Sequence, residues 1–291
     1  MAGLVNTSTN TTLSVRAPAK LNLFLHVIGR RADGYHLLQS AFTLIDYADT
    51  LQLSLRADGQ IRRVSELAGV AEGDDLVIRA ARLLQRESGS RRGCEISVTK
   101  LIPMGGGLGG GSSDAATTLL ALNHLWGLGM SRERLGELGL SLGADVPFFV
   151  FGRNAFAEGV GERLSAIPLP AWWYLVLTPP VGVPTPGIFA APELTRDTIP
   201  LKIADFSAMR LADYHNDLQP VVLKAFPAVA RYFDALQSAS LKSVFGARMT
   251  GSGAGVFAAF ESETNARDAF AELSPEYQGF IARGLDRHPW Q

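Results

Sequence analysis

Residues 103–116 read Pro-Met-Gly-Gly-Gly-Leu-Gly-Gly-Gly-Ser-Ser-Asp-Ala-Ala, six glycines among seven consecutive residues. Ordering a glycine costs more backbone entropy than ordering any other residue, so such a run needs a structural return. Without Cβ atoms a loop can turn its N–H groups toward a large anion, and a helix starting just behind it adds its positive end. The flanks fit that arrangement: residues 94–99 have the composition of a strand, and residues 113–126 that of a helix. Gly105-x-Gly107-x-x-Gly110 matches the dinucleotide fingerprint. However, the acid required about twenty residues on, at a strand end, is missing, and Glu133 falls within a predicted helix. No Gly-Lys-Ser/Thr follows, as in a P-loop, and the chain lacks the His-Arg-Asp tripeptide of protein kinases. The remaining reading is a nucleoside triphosphate cradle of another type. In it Ser112 and Ser113 bond phosphate oxygens or a magnesium ion. Asp114 would repel phosphate if it turned inward, so it is expected to point away as a capping acid.

Composition narrows the partners. The 291 residues suffice for one large or two ordinary domains, and 47% apolar with 19% charged residues is a globular balance. A formal net charge of −1 provides no general polyanion-binding surface. Nucleic acid is therefore not expected, and phosphate recognition must be local. Cys94 is the only cysteine, which excludes an intramolecular disulfide and a cysteine-based zinc site and suits a cytoplasmic protein. Residues 1–12 are polar, lack a secretory core and are expected to form a mobile extension. No apolar run reaches the length of a membrane span, so no membrane partner is expected.

Periodicity predicts an α+β fold. Residues 13–27 read as a strand broken at Pro18, with Leu21, Leu23, Leu25 and Val27 on one face and Lys20, Asn22, Phe24 and His26 on the other. Asp33-Gly34 marks a turn, followed by strands at 41–47 and 50–55. Asp74 or Asp75 caps a helix to about residue 87, and Ser131 caps another to about residue 143. Asp145 falls in a short link before Pro147 and a strand at 148–151. Residues 158–162 read as a hinge, dividing the chain into 13–157 and 158–291. The second half carries strands at 172–178, near Arg248, at 256–260 and at 280–283, and helices at 217–224, 228–239 and 263–273.

Two charged residues stand out. Lys20 shares a strand face with Asn22, which makes a polar patch of what is ordinarily a snorkelling lysine. Asp145 alone reads as a turn aspartate before Val-Pro. Together they suggest a pair aimed at an attacking hydroxyl. Phosphoryl transfer needs in-line positioning, neutralised charge and a proton acceptor near the nucleophile. A carboxylate supplies that acceptor, and an adjacent ammonium keeps it ionised.

These segments resemble the GHMP kinases, which include galactokinase, homoserine kinase and mevalonate kinase. Residues 103–113 are similar to their central ATP loop, Thr250-Gly-Ser-Gly-Ala-Gly255 to their C-terminal glycine motif, and Ala17-Pro-Ala-Lys-Leu-Asn-Leu23 to their first motif. Arg31-Ala-Asp-Gly-Tyr-His36 and Leu142-Gly-Ala-Asp-Val-Pro147 resemble, more narrowly, the branch that serves the non-mevalonate isoprenoid pathway. The resemblance spans about residues 15–283. It implies a ribosomal-protein-S5-domain-2-like first domain and a ferredoxin-like second domain. It also implies ATP as co-substrate with Mg2+, and transfer to the 2-hydroxyl of 4-diphosphocytidyl-2-C-methyl-D-erythritol, a small molecule with a cytidine diphosphate moiety. Lys20 and Asp145 fall on the catalytic pair. Pro103, Met104, Gly105, Gly106, Gly107, Leu108, Gly109, Gly110, Gly111, Ser112 and Ser113 fall on the ATP loop. Asn22, Tyr35, His36 and Phe189 fall on substrate-binding positions, with Tyr35 and Phe189 sandwiching the base. Asp114 departs from the Asn or Ala common there, and Asp75 from the Asn that would suit adenine. The rival readings are a GHMP kinase for another alcohol, a catalytically silent binding relative and a dinucleotide-dependent oxidoreductase.

Overall fold

The computed structural model describes residues 3–7, 10–66, 69–273 and 275–290. Its elements are β1 (Gly3–Thr7), β2 (Asn10–Arg30), β3 (His36–Arg56), β4 (Ile61–Arg63), α1 (Leu76–Ser88), β5 (Gly93–Thr99), α2 (Gly110–Leu125), α3 (Arg132–Leu140) and α4 (Val146–Phe151). They continue with β6 (Ala155–Glu158), β7 (Arg163–Ala166), β8 (Trp173–Leu177), α5 (Thr185–Ala190), α6 (Gln219–Ala225), α7 (Pro227–Ala239), β9 (Arg248–Met249), β10 (Val256–Phe260), α8 (Glu263–Ala271) and β11 (Gly279–Leu285).

A hairpin of two 21-residue strands, β2 and β3, is the spine. The expected break at Pro18 is a bulge between Pro18 and Ala19, and the two strands expected at 41–55 are one. Bulges let a ladder absorb a proline without ending. β5 and β6 pair with β3, and helices α1 to α4 cover this sheet around one core. Asp75 rather than Asp74 caps α1, accepting from the Val77 amide.

The strand expected at 148–151 is helix α4. An unbroken buried run, Val146-Pro-Phe-Phe-Val150, fits a buried strand or a buried helix equally by pattern. Pro147 in the first turn and Gly152 as a left-handed C-cap (φ 73°) close it as a helix.

In the second half the antiparallel order is β11-β8-β10-β9. Numbered within that half, this is strand order 4-1-3-2 with helices between the first and second and between the third and fourth strands, the ferredoxin-like arrangement. β8 is buried on both faces: Leu175 and Leu177 meet α6, α7 and α8, whereas Tyr174 and Val176 pack against Leu21, Phe24 and Ile45 of the spine.

Two features of the ends differ from the sequence reading. Gly3–Thr7 pairs with the start of β2, so this part of the expected mobile extension is a strand; residues 1, 2, 8 and 9 lie outside the described residues. At the other end, β11 pairs with β8 and then, through Gly284 and Leu285, with β3, so the C-terminus rejoins the first half. The expected hinge at 158–162 is the turn of the β6–β7 hairpin. No helix of the described residues is long and apolar enough to cross a membrane.

Candidate active site

A second bulge, between Asn22 and Phe24, decides what faces the site. It reverses the alternation of β2. Lys20, Asn22 and Leu25 consequently line one cavity, whereas Leu23 and Phe24 both turn into the core between the halves. The expected sharing of one face by Lys20, Asn22, Phe24 and His26 fails at that residue.

The cavity measures about 790 Å³, within the usual range for small-ligand sites. Lys20 is 3% exposed, and its Nζ donates to Asn22 Oδ1 at 2.5 Å and lies 3.3 Å from Asp145 Oδ2. Asn22 Nδ2 donates to Ser40 Oγ at 2.9 Å, and Ser40 Oγ donates to the Phe24 carbonyl at 2.6 Å. The ammonium is thus fixed by a buried chain of hydrogen bonds, while Asp145 keeps a third of its side chain open to the cavity. The two charges, 125 positions apart in the chain, are brought together because β2 and α4 both pack against α2.

The glycine loop divides by role. Gly105, Gly107, Gly109 and Ser112 line the cavity, and Gly109 (φ 73°) is the N-cap of α2. The first amides of α2 have no carbonyl within the helix to bond and lie at this end of the cavity, as anion binding needs. Leu108 is buried in the core, and Met104 is exposed. Pro103, Gly106, Gly110, Gly111 and Ser113 are not among the residues that line the cavity. Ser113 donates its hydroxyl to the Pro18 carbonyl at 2.6 Å and is fully buried, so it ties α2 to β2 instead of offering that proton to a ligand.

Part of the glycine requirement comes from a second backbone rather than from a ligand. A Cβ at Gly107 would stand 2.3 Å from the Thr250 carbonyl, and one at Gly255 would stand 2.5 Å from the Gly106 carbonyl. The Ala254 and Gly255 amides donate to Gly105 and Gly106 at 3.2 and 3.1 Å. The two glycine motifs therefore zip together, and Gly251 comes to lie beside Asn22 and Lys20.

Asp114 points away from the cavity, as expected, but not as a cap. Its Oδ2 accepts from Lys100 Nζ at 2.6 Å, and the same ammonium pairs with Asp49. Two buried acids share one lysine, and burial pushes the Asp114 carboxyl up to about 7. Asp75, the other departure, caps α1 and pairs with Arg63 at 3.0 Å.

At the far end, Tyr35 (65% exposed), His36 and Phe189 on α5 line the cavity. The His36 ring lies 5.0 Å from Phe189 at a 32° tilt. Thr250, from the C-terminal glycine motif, and two residues that the sequence reading did not single out add to the site. Thr250 accepts the Asn22 amide at 3.0 Å, Asn216 donates to the Met249 and Gly251 carbonyls, and Arg196 bonds His36. Asn216 and Arg196 sit in irregular segments whose local sequence carries no signal for these contacts.

The GHMP kinase N-terminal domain model matches residues 75–153, and the GHMP kinase C-terminal model matches residues 201–278. The chain belongs to the GHMP kinases. This GHMP kinase is 61% identical to a 4-diphosphocytidyl-2-C-methyl-D-erythritol kinase of Thiobacillus denitrificans, over 94% of this chain and 95% of that one. It is 56% identical to the Nitrosospira multiformis protein of the same name, over 99% and 98%. A crystal structure of 4-(cytidine 5'-diphospho)-2C-methyl-D-erythritol kinase superposes with a TM-score of 0.80 at 35% identity, covering 93% of this chain and 98% of that one. Homoserine kinase from Cytophaga hutchinsonii shares the fold, at a TM-score of 0.71 and 17% identity over 98% of both chains.

Proposed function

We propose that this GHMP kinase transfers the γ-phosphoryl group of ATP to the 2-hydroxyl of 4-diphosphocytidyl-2-C-methyl-D-erythritol. The observation that carries the reading is that one cavity joins three parts. These are a helix N-terminus behind a glycine loop, a Lys–Asp pair, and an aromatic wall with a histidine. They suit a triphosphate, a nucleophilic hydroxyl and a nucleobase respectively. The names of the relatives and of the similar crystal structure support the same substrate.

Asp145 takes the proton of the attacking hydroxyl. The hydroxyl oxygen forms its bond to the γ-phosphorus as the bond to the ADP oxygen breaks, and Lys20 stabilises the charge that develops between them. Asn22 and Ser40 hold the ammonium in place for that task. Tyr35 and Phe189 stack on the base, and such stacking is worth about 1–3 kcal/mol per base. Ser112 binds phosphate oxygens, and Gly105, Gly107 and Gly109 let them approach the backbone. The described residues contain no group of three or more acids, histidines or cysteines that would hold a metal by itself. Ser112 and Asp145 are among the oxygen donors that line the cavity and would hold Mg2+ arriving with the phosphates, whose charge it would neutralise. We assign the reaction to the cytoplasm; a sequence with Cys94 as its only cysteine suits a reducing compartment.

Purified protein with Mg-ATP and the cytidine diphosphate substrate should release ADP and yield the 2-phosphate. Asp145→Asn should keep the thermal midpoint and lose about 10²–10⁴-fold in kcat. A folded Asn variant with near-normal turnover removes Asp145 as the base. Turnover with another alcohol but not with this one moves the reading elsewhere in the family.

A further inference from the structure

A buried backbone N–H without a partner costs about as much as a lost hydrogen bond, so each outward amide of a strand must find an acceptor. In the part of β2 that carries Lys20, four amides bond partners outside the sheet. Lys20 donates to the Leu108 carbonyl and Leu25 to the His215 carbonyl, both at 3.0 Å, Val27 donates to Asp217 Oδ2 at 2.6 Å, and Asn22 donates to Thr250 Oγ1 at 3.0 Å. The strand is thereby pinned to the phosphate loop at Lys20 and to the second glycine loop at Asn22. The second pin is a side-chain hydroxyl, which has further bonding capacity of its own.

Thr250 is fully buried and is not among the residues that line the cavity. Having accepted the Asn22 amide, its Oγ1 keeps one proton and faces two acceptors, Asn22 Oδ1 at 3.5 Å and the Gly107 carbonyl at 3.4 Å. Both distances are long for a hydroxyl donor, so neither acceptor holds the proton alone. Asn22 Oδ1 is the atom that receives Lys20 Nζ, and Gly107 belongs to the loop that lines the phosphate end of the cavity. One hydroxyl therefore stands where the ammonium's anchor and the phosphate loop meet. We infer that Thr250 is a positioning residue, whose hydroxyl fixes Asn22, and through Asn22 the Lys20 ammonium, in register with the phosphate loop. The loop packing itself is carried by other atoms of the residue. The Thr250 amide donates to the Gly255 carbonyl and the Thr250 carbonyl accepts from Gly253, both at 3.0 Å, while its methyl group lies against Gly255. A substitution that removes only the hydroxyl separates the two roles. This inference rests on Lys20 as the group that stabilises the transferring phosphoryl and deepens that reading.

Thr250→Val keeps the shape, the methyl contact and the backbone bonds. It should lower kcat about tenfold to hundredfold, the scale of loss when a reacting group is held slightly out of place. KM for ATP and for the cytidine diphosphate substrate should each change less than about twofold. Thr250→Ser restores the hydroxyl and should recover most of the kcat. Because the effect runs through Asn22, adding Thr250→Val to Asn22→Ala should cost little beyond Asn22→Ala alone. A readout without turnover comes from 1H–15N spectra of the lysine ammonium groups in the ligand-free protein, with Lys20 assigned by its loss in Lys20→Met. The buried Lys20 Nζ should give a slowly exchanging signal that Thr250→Ser keeps and Thr250→Val loses. Unchanged kcat in Thr250→Val, a rise in KM for ATP alone, losses that add fully to those of Asn22→Ala, or an ammonium signal that Thr250→Val retains would each overturn the inference. If Thr250→Val does not fold, Thr250→Cys, similar in size and a poor hydrogen-bonding partner, is judged by the same criteria. If the ammonium signal behaves as expected but the cytidine substrate is not phosphorylated by the wild-type protein, the proposed function fails and the positioning role of Thr250 stands.

Discussion

Lys100, Asp49 and Asp114 form a buried cluster with two acids and one base. Asp49 already accepts the Leu101 and Ile102 amides at 2.5 and 2.8 Å. Burial works against the Lys100 charge, but Asp114 and Asp49 outweigh it and raise its pKa, so the lysine keeps its proton. Burial, added to by the Asp49 charge, outweighs Lys100 at Asp114, whose carboxyl holds a proton up to about pH 7. An unfolded aspartate releases its proton near pH 4. Between those values the native state binds more protons than the unfolded state, so this group makes stability fall as pH rises toward 7. Asp114→Asn removes that slope. The variant's thermal midpoint relative to wild type should climb from about pH 4 to about pH 7 and level off above that, and parallel curves would exclude the shift. The sequence raised the question, since an acid beside a phosphate loop is an anomaly. The answer lay on β3 and beyond β5, where no local pattern points.

The two glycine loops make sense as a pair of elements. Gly107 adopts φ 72° and sits against the Thr250 carbonyl, so both its backbone conformation and its lack of volume are required. Gly107→Ala should wedge the loops apart, weakening ATP binding and lowering the thermal midpoint together. A calorimetric scan and an ATP titration on one preparation would check this; an unchanged KM for ATP would mean that the loops pack independently of the nucleotide. Gly136 is the contrasting case. It sits within α3, a Cβ there meets nothing within 4 Å, and its φ is not positive. Gly136→Ala should stabilise the protein by about 0.5–1 kcal/mol, since alanine restores the helix preference that glycine forfeits. Denaturant melts would show it as a raised midpoint with the slope unchanged. At this scale periodicity placed every long helix. It misassigned α4, where neither spacing nor composition separates a buried strand from a buried helix.

Across the whole molecule the C-terminal segment clamps the first half. His288 Nε2 lies 3.2 Å from Thr117 Oγ1 on α2, its amide donates to the Gly152 carbonyl at 2.8 Å, and Arg132 reaches the Trp290 carbonyl. Burial drives the pKa of His288 down to about 4, and burial does the same to His26 beneath the second half. Unfolded histidines protonate near pH 6.5. From there down to about pH 4 the unfolded state binds two more protons at these sites, against one fewer at Asp114. Net stability from these groups should therefore drop as the solution is acidified. His288→Gln should flatten that acid limb in a series of thermal melts, and an unaltered limb would place the acid sensitivity elsewhere. What the residues alone determined was chemistry carried by contiguous segments: an anion-binding loop, a strand bearing Lys20, an aspartate before Val-Pro, and a tyrosine and histidine at a turn. Short-range sterics and hydrogen bonding fix such features, and they are written where they act. Only the tertiary structure decided which face of β2 met the cavity, because one bulged residue inverts an alternation that sequence leaves intact. It also decided that Gly107 serves a neighbouring backbone and that Arg196 bonds His36. Those outcomes depend on groups brought into contact across more than a hundred residues, and chain order does not encode that closeness.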